Sequence, residues 1–488
     1  MSPTLLLTLL VSLPLVGALF LTVPRQHTLA RITATGTAAL TLGLAIAALL
    51  NAGSETPASG VTAPWLGVTW HLGVDDAGAL ALPLTALLTL VTIVASPRHS
   101  SGQRFLTALL VTESATLGFF CARDLPLRLG FFLAMAAPLA AQLAREGRAW
   151  RPVRAYLLAG TLPLMLAVAL VGLLSWHTGV ATPRDSLVRD LPHGWRMGLC
   201  TLLLVSVCAR LAVVPFHSWL PVLMTRGPLC VGVLWMNLAA SLQLLTQVIR
   251  PLLPEEWATV APALGSLGAG AALYGALLAL VQTDLRRMLA FLLVSQSGLL
   301  LAGVTLGGPT GLPGAWLQCL SMGLTFTGLE LVVRAIEART GTTNLDPRSG
   351  LTVRAPRMAT VFLLLGLAAL GFPGTLGFVS EDLLLRDTLG AHPLLALPLL
   401  PALALNAITL LRAFQRAFLG PRRVPSTPAC TEDLLPRERW TMLTLVALLC
   451  VSGLWPSVLA HPPIAPGRYS SLSASFHSWG LRTAPGNR

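Results

Sequence analysis

Runs of about 20 apolar residues, long enough to cross a bilayer as helix, recur along the whole chain. Short connections carrying Arg, Gly and Pro separate them. Counted this way there are about 14 spans, near residues 4–22, 30–50, 78–96, 105–122, 125–144, 153–176, 197–217, 228–249, 257–281, 286–305, 312–335, 357–386, 393–419 and 440–460. The first run lacks a basic leader and a small-residue cleavage site, so it is expected to be a span rather than a removed signal peptide. The pattern predicts an all-α polytopic membrane protein with a single transmembrane domain over 1–461 and a polar tail over 462–488.

Two spans carry internal helix breakers. The seventh contains "VVPFHSW", and the twelfth contains "ALGFPGTLGFVSEDLLL", where Pro373 lies between Gly371 and Gly374. Proline removes a backbone donor and glycine relaxes the chain, so helical hydrogen bonding should lapse in both. If spans four to eight (about 104–250) and nine to thirteen (about 255–420) form two five-helix units, the broken helix is the fourth member of each. Five is an odd number, so the two repeats would be inverted, an architecture that places ion sites near the breaks.

Composition agrees with this picture and narrows it. The chain has 488 residues, is 54% hydrophobic and only 11% charged. That is too little charge to cover a soluble surface. The net charge of +13 could suggest a nucleic-acid partner. However, the arginines cluster in alternate connections ("PRQHTLAR", "SPRHSSGQR", "AREGRAWRPVR", "RTGTTNLDPRSGLTVRAPR" and "LGPRRVPSTPACTEDLLPRER"). This is the positive-inside pattern of cytoplasmic loops, and it puts both termini outside with an even number of spans. All 33 basic residues are arginine; lysine is absent. The seven cysteines stand singly, without a CxxC pair, so neither an iron–sulfur cluster nor a zinc site is indicated. No Gly-rich phosphate loop occurs, and the expectation is a chain with no cofactor, no metal and no catalytic site of its own.

Charged side chains at membrane depth cost a few kcal/mol and usually face a bundle interior or a water-filled cavity. Arg210 lies about 14 residues into the seventh span, and reads either as a tether between helices or as part of an ion path. Glu113 lies near the middle of the fourth span, where it should be paired or protonated. The two stand at comparable depth and are expected to pair with each other. Glu381 and Asp382 follow the break in the twelfth span, as path members or as caps of the next helical half. Glu330, with Arg334 one turn on, reads as a structural salt bridge near the cytoplasmic surface before it reads as a path member. His217, beside Pro215, is either a proton relay or a donor to a carbonyl freed by the break. Asp284, before Arg286 and Arg287, suits a helix cap.

At these residues the chain resembles the antiporter-like membrane subunits of respiratory complex I, of Mrp cation/proton antiporters and of membrane-bound hydrogenases, a family that also supplies DAB-type inorganic carbon transporters. "PFHSWLP" (215–221) is similar to the family's Pro-Phe-His-x-Trp-Leu-Pro signature. "TDLRRMLAFLLVSQSG", "GLELVVRAIEARTGTTNLD" and "PGTLGFVSEDLLL" resemble its later motifs, closest to the M-type complex I subunit, over roughly residues 70–420. The resemblance implies a 14-helix fold with two inverted repeats. It also implies a proton route through a carboxylate on helix five, lysines or histidine on helices seven and eight, and a lysine or glutamate on helix twelve. Carried over residue by residue, those positions hold Leu133, Arg210, Met236 and Leu242, and Glu381, while Met322 takes a usual histidine position on helix eleven. Only the last acid is kept.

Guanidinium stays charged in proteins, whereas a buried lysine can lose its proton, so Arg210 is not a conservative replacement. Two functions stay open. One is a proton- or cation-translocating antiporter-like subunit of a multi-subunit complex in the bacterial cytoplasmic membrane. The other is a degenerate, non-conducting scaffold of such a complex, for example a DAB-type carbon uptake system. The partners implied are lipid, protons or monovalent cations, and further subunits: a second antiporter-like chain or a cytoplasmic module. Nucleic acid is not among them.

Overall fold

The computed structural model describes residues 3–23, 26–51, 61–63, 68–74, 76–96, 102–143, 151–178, 188, 191–226, 230–308, 310–345, 350–420 and 433–456. The tail over 462–488 lies outside them. The chain is nearly all helical: α1 Pro3–Phe20, α2 His27–Leu50, α3 Asp76–Ala95, α4 Gln103–Cys121, α5 Leu125–Ala134, α6 Ala137–Leu143 and α7 Arg151–Thr178. Then follow α8 His193–Arg210, α9 Trp219–Arg226, α10 Cys230–Leu244, α11 Pro254–Val281, α12 Leu285–Leu306 and α13 Gly311–Thr340. The last are α14 Pro356–Ala369, α15 Leu376–Ala391, α16 Leu399–Phe418 and α17 Pro436–Leu454. Among the described residues, eight helices are long and apolar enough to cross a membrane by length and composition. The protein is therefore a multi-pass membrane protein.

One departure from an all-α fold is a two-stranded antiparallel hairpin, β1 Val61–Ala63 with β2 Val68–Trp70, in which Val61 faces Trp70. It falls in the connection between α2 and α3. There the backbone is free to pair across strands instead of within a helix, and Val and Thr favour that.

Burial sorts the helices into inner and outer ones. α13 is buried along its length and packs against α3, α10, α12, α14, α15 and α17. By contrast, α2, α7 and α16 leave most of their apolar surface outward, as lipid-facing helices do. α11 and α12 approach closely because glycines face the partner's backbone. A Cβ added at Gly275 would lie 2.6 Å from the Ser295 amide nitrogen, and one at Gly298 would lie 2.5 Å from that of Ala272.

Both expected breaks are present. α8 stops at Arg210, after which Ala212 is left-handed (φ 55°), the Val214–Pro215 peptide is cis, and a 3-10 turn over Phe216–Ser218 leads into α9. α14 stops at Ala369, and Gly371 (φ 63°) and Gly374 (φ 92°) supply the left-handed turns that precede α15. Two irregularities were not expected. The predicted fifth span is split at Met135–Ala136, where Pro138 has no N–H for the carbonyl of Ala134. After α10 the helix widens into a π-helical stretch, Leu245–Ile249, just ahead of Pro251.

Candidate ion-path site

Ending α8 at Arg210 places a cation where one helix has finished and the next has not begun. The carbonyls of that last turn are taken: Ala209 accepts from the Trp219 indole at 3.0 Å, and Cys208 accepts from the Val213 amide at 3.2 Å. The guanidinium instead stacks on Phe132 of α5, 3.8 Å from the ring centroid. Tyr156 of α7 stands near Arg210; its ring is stacked on Trp219 at 3.9 Å and its hydroxyl accepts from Asn237 of α10 at 2.9 Å. Arg210 is 3% exposed, and neither Nη1 nor Nη2 has a hydrogen-bond partner. A cation–π contact offsets about 2 kcal/mol when desolvated. Burying the charge costs about as much or more, so the contact does not by itself satisfy it.

The expected pair with Glu113 does not form. Glu113 is fully buried on α4, both of its oxygens lack a partner, and no ion pair joins it to Arg210. The guanidinium lies against the Phe132 ring instead.

Beyond Arg210 lies a cavity of about 30 Å³, bounded by Trp219, Leu238, Leu293, Ser297, Met322 and Thr327, among others. That is room for one or two waters. On α12, α13 and α15 a loop of neutral polar groups surrounds Glu381. Gln296 donates to the Glu381 carboxylate at 3.2 Å, Gln318 donates to Gln296 at 2.7 Å, and Ser380 donates to Gln318. Glu381 lies six residues into α15, whose N-cap is Thr375, so it is not a helix cap. Its carboxylate touches the second break, since a Cβ added at Gly371 would come within 2.4 Å of Glu381 Oε2. Both interruptions thus carry a buried charge.

The remaining predicted residues fall elsewhere. Asp382 turns to the outside of α15 and pairs with exposed Arg386 at 3.0 Å; it is no more a helix cap than Glu381. Glu330 and Arg334 form the expected i,i+4 pair at 2.9 Å, and both are buried on α13. His217 sits edge-on to Tyr274 at 5.1 Å and its Nδ1 has no partner, so that nitrogen does not donate to a freed carbonyl. Asp284 caps α12, accepting from the Arg287 amide at 3.0 Å. Leu242 is buried and Leu133 is partly buried against the core. Met236 lies in α10, but its side chain lies outside the described residues.

Sequence reasoning missed the amides. Gln296 and Gln318 are uncharged and were passed over in a search for charge. An amide inside an apolar run was the available signal, since a buried polar group needs a partner.

Comparison with known proteins bears on the same region. Residues 149–404, just over half of the chain, match the family described as "NADH:quinone oxidoreductase/Mrp antiporter, TM". The chain is 30% identical over 416 residues to NADH-quinone oxidoreductase subunit M of Rhodobacter capsulatus, covering 81% of this chain and 80% of that one. It is 29% identical over 441 residues to F(420)H(2) dehydrogenase subunit M of Methanosarcina mazei, covering 86% and 88%. Among solved structures, a chain of respiratory complex I from Thermus thermophilus superposes with a TM-score of 0.84 at 26% identity, over 96% of this chain and 98% of that one. By the family match over half of its length and by a relative 30% identical along most of it, the chain belongs to the NADH:quinone oxidoreductase/Mrp antiporter family of membrane subunits.

Proposed function

We propose that this chain is the proton- or cation-translocating antiporter-like subunit of a multi-subunit membrane complex. The observation that carries the reading is Glu381: a buried carboxylate at a helix break, hydrogen-bonded to Gln296, which in turn accepts from Gln318. A carboxylate so placed can take up and release a proton. Arg210 cannot at accessible pH, and we assign it the part of a fixed charge that raises or lowers the barrier beside the path.

Joined across their interruptions, the helices group into fourteen spans. On this reading, residues 104–250 and 255–420 are the inverted repeats, the arginine-rich connections face the cytoplasm and both termini face outward. The membrane is the bacterial cytoplasmic membrane. Glu113 and His217 belong to the inner approach, Glu381 to the outer exit, and Asp382 and Glu330 lie beside it. Partner subunits are a second antiporter-like chain or a cytoplasmic module.

A second reading has its own support. Leu133 and Leu242 are apolar where the family carries titrating groups, which favours a scaffold whose partner conducts, as in a DAB-type carbon uptake system. Proton flux in proteoliposomes holding the assembled complex separates the two. With conduction through this chain, Glu381→Gln lowers flux by about tenfold or more. Unchanged flux in both Glu381→Gln and Arg210→Lys would leave only the scaffold.

A further inference from the structure

Ser380 and Glu381 are neighbours on α15, and the hydrogen bonds that leave one return to the other. Ser380 donates to Gln318 of α13, Gln318 donates to Gln296 of α12 at 2.7 Å, and Gln296 donates to Glu381 at 3.2 Å. All four residues are buried, so each polar group depends on its neighbours in this ring. Ser380 is the exception. Its one hydrogen has further acceptors within reach on its own helix, the carbonyl oxygens of Leu376 at 3.1 Å and Gly377 at 3.0 Å.

That surplus lets the ring run in either sense. With Glu381 ionised, every donor points toward the carboxylate. With Glu381 protonated, its O–H can donate to the Gln296 oxygen, Gln296 to the Gln318 oxygen and Gln318 to Ser380 Oγ, while the Ser380 hydrogen turns to Leu376 or Gly377. The change needs half a turn of each amide about its last side-chain bond. Amide oxygen and nitrogen are close in size, so the heavy atoms keep their places, and each link has a donor and an acceptor in both senses. Glu381 gains one proton, and the other three residues keep theirs. We propose that Gln296, Gln318 and Ser380 are positioning residues of a hydrogen-bond ring that reverses when Glu381 takes up a proton, carrying that state from α15 to α12 and α13. The proposal rests on the reading of Glu381 as a proton-binding group. Nearby charge does not compete: Asp382 is held by Arg386 on α15 itself. Among the described residues, no ion pair reaches Glu381 from α12, α13, α14 or α17, the helices packed on α15.

The test uses the full-length chain, purified with its associated subunits in lipid nanodiscs and followed by infrared difference spectroscopy as the pH is lowered. The expected result is a protonated-carboxyl band, lost in Glu381→Gln, that rises together with a change in the side-chain amide bands of isotope-labelled glutamine. Gln318→Met, similar in length but without the amide, should keep the carboxyl band and lose the Gln318 share of the amide change. Ser380→Ala, a smaller change that decides the matter if the first variant fails to fold, should also reduce the amide change, although Ser380 makes no bond to the carboxylate. The proposal is overturned if the carboxyl band rises with the amide bands unmoved, or if the amide change in Gln318→Met and Ser380→Ala equals that of the wild type. Absence of any Glu381-dependent band in the folded protein overturns the proton-binding reading and the ring with it. Wild-type flux in Glu381→Gln, with both bands present in the parent, sinks the transport reading alone.

Discussion

Arg210 shows what a single residue can and cannot say. Its charge and the nearby break were legible in "LVSVCARLAVVPFHSWLP", because a cation and a proline in one apolar run each signal a local exception. Its surroundings were not: Phe132 and Tyr156 come from other helices far along the chain, and no local spacing brings them to that stretch. The same holds for the unpaired state of Glu113. Replacing the guanidinium by a group that can release a proton makes a direct prediction. Arg210→Lys should keep flux in the assembled complex and make it pH-dependent, with activity changing as the ammonium titrates. A flat pH profile identical to that of the wild type counts against a titrating role at this position. Two residues on, Ala212 holds a left-handed conformation that costs a residue with a Cβ about 1–2 kcal/mol. Ala212→Gly should therefore raise the thermal midpoint and Ala212→Val should lower it, and a glycine variant less stable than the wild type would contradict the assignment of that turn.

Among elements, the interruptions were the most readable features, since Pro and Gly act on the backbone without help from distant residues. Pro373 between two glycines gave the break before α15 directly. Pro138 carried the same information for the split between α5 and α6, but the length of the apolar run concealed it. The π-helical stretch Leu245–Ile249 had no signal beyond Pro251. The close approach of α11 and α12 makes a contrast that can be measured. Gly275 and Gly298 face backbone at distances that admit no side chain, whereas Gly270 on α11 has nothing within 4 Å. Gly275→Val should destabilise the purified protein by about 1–3 kcal/mol or prevent its accumulation in the membrane. Gly270→Val should fold normally, and equal behaviour of the two variants would argue against this packing.

For the whole molecule, the order of apolar runs sufficed for a nearly all-helical, multi-pass architecture, because a bilayer leaves the backbone few choices. The strand pair 61–63 and 68–70 lay in a connection between spans, where that constraint ends. Orientation is testable at this scale. Alkaline phosphatase fused after residue 488 should be active in intact cells and a fluorescent-protein fusion dark; the reverse result would invert every cytoplasmic assignment. The glycine-to-backbone contact of α11 with α12 also bears on how such a molecule moves. Two helices locked at their main chains translate together as a strut running the depth of the bundle, and α9 and α15 both lean on it. Relative to that strut, the interruptions at 211–218 and 370–375 are places where the main chain is not held by helical hydrogen bonds and can bend, with residues 254–306 as the beam against which they would do so.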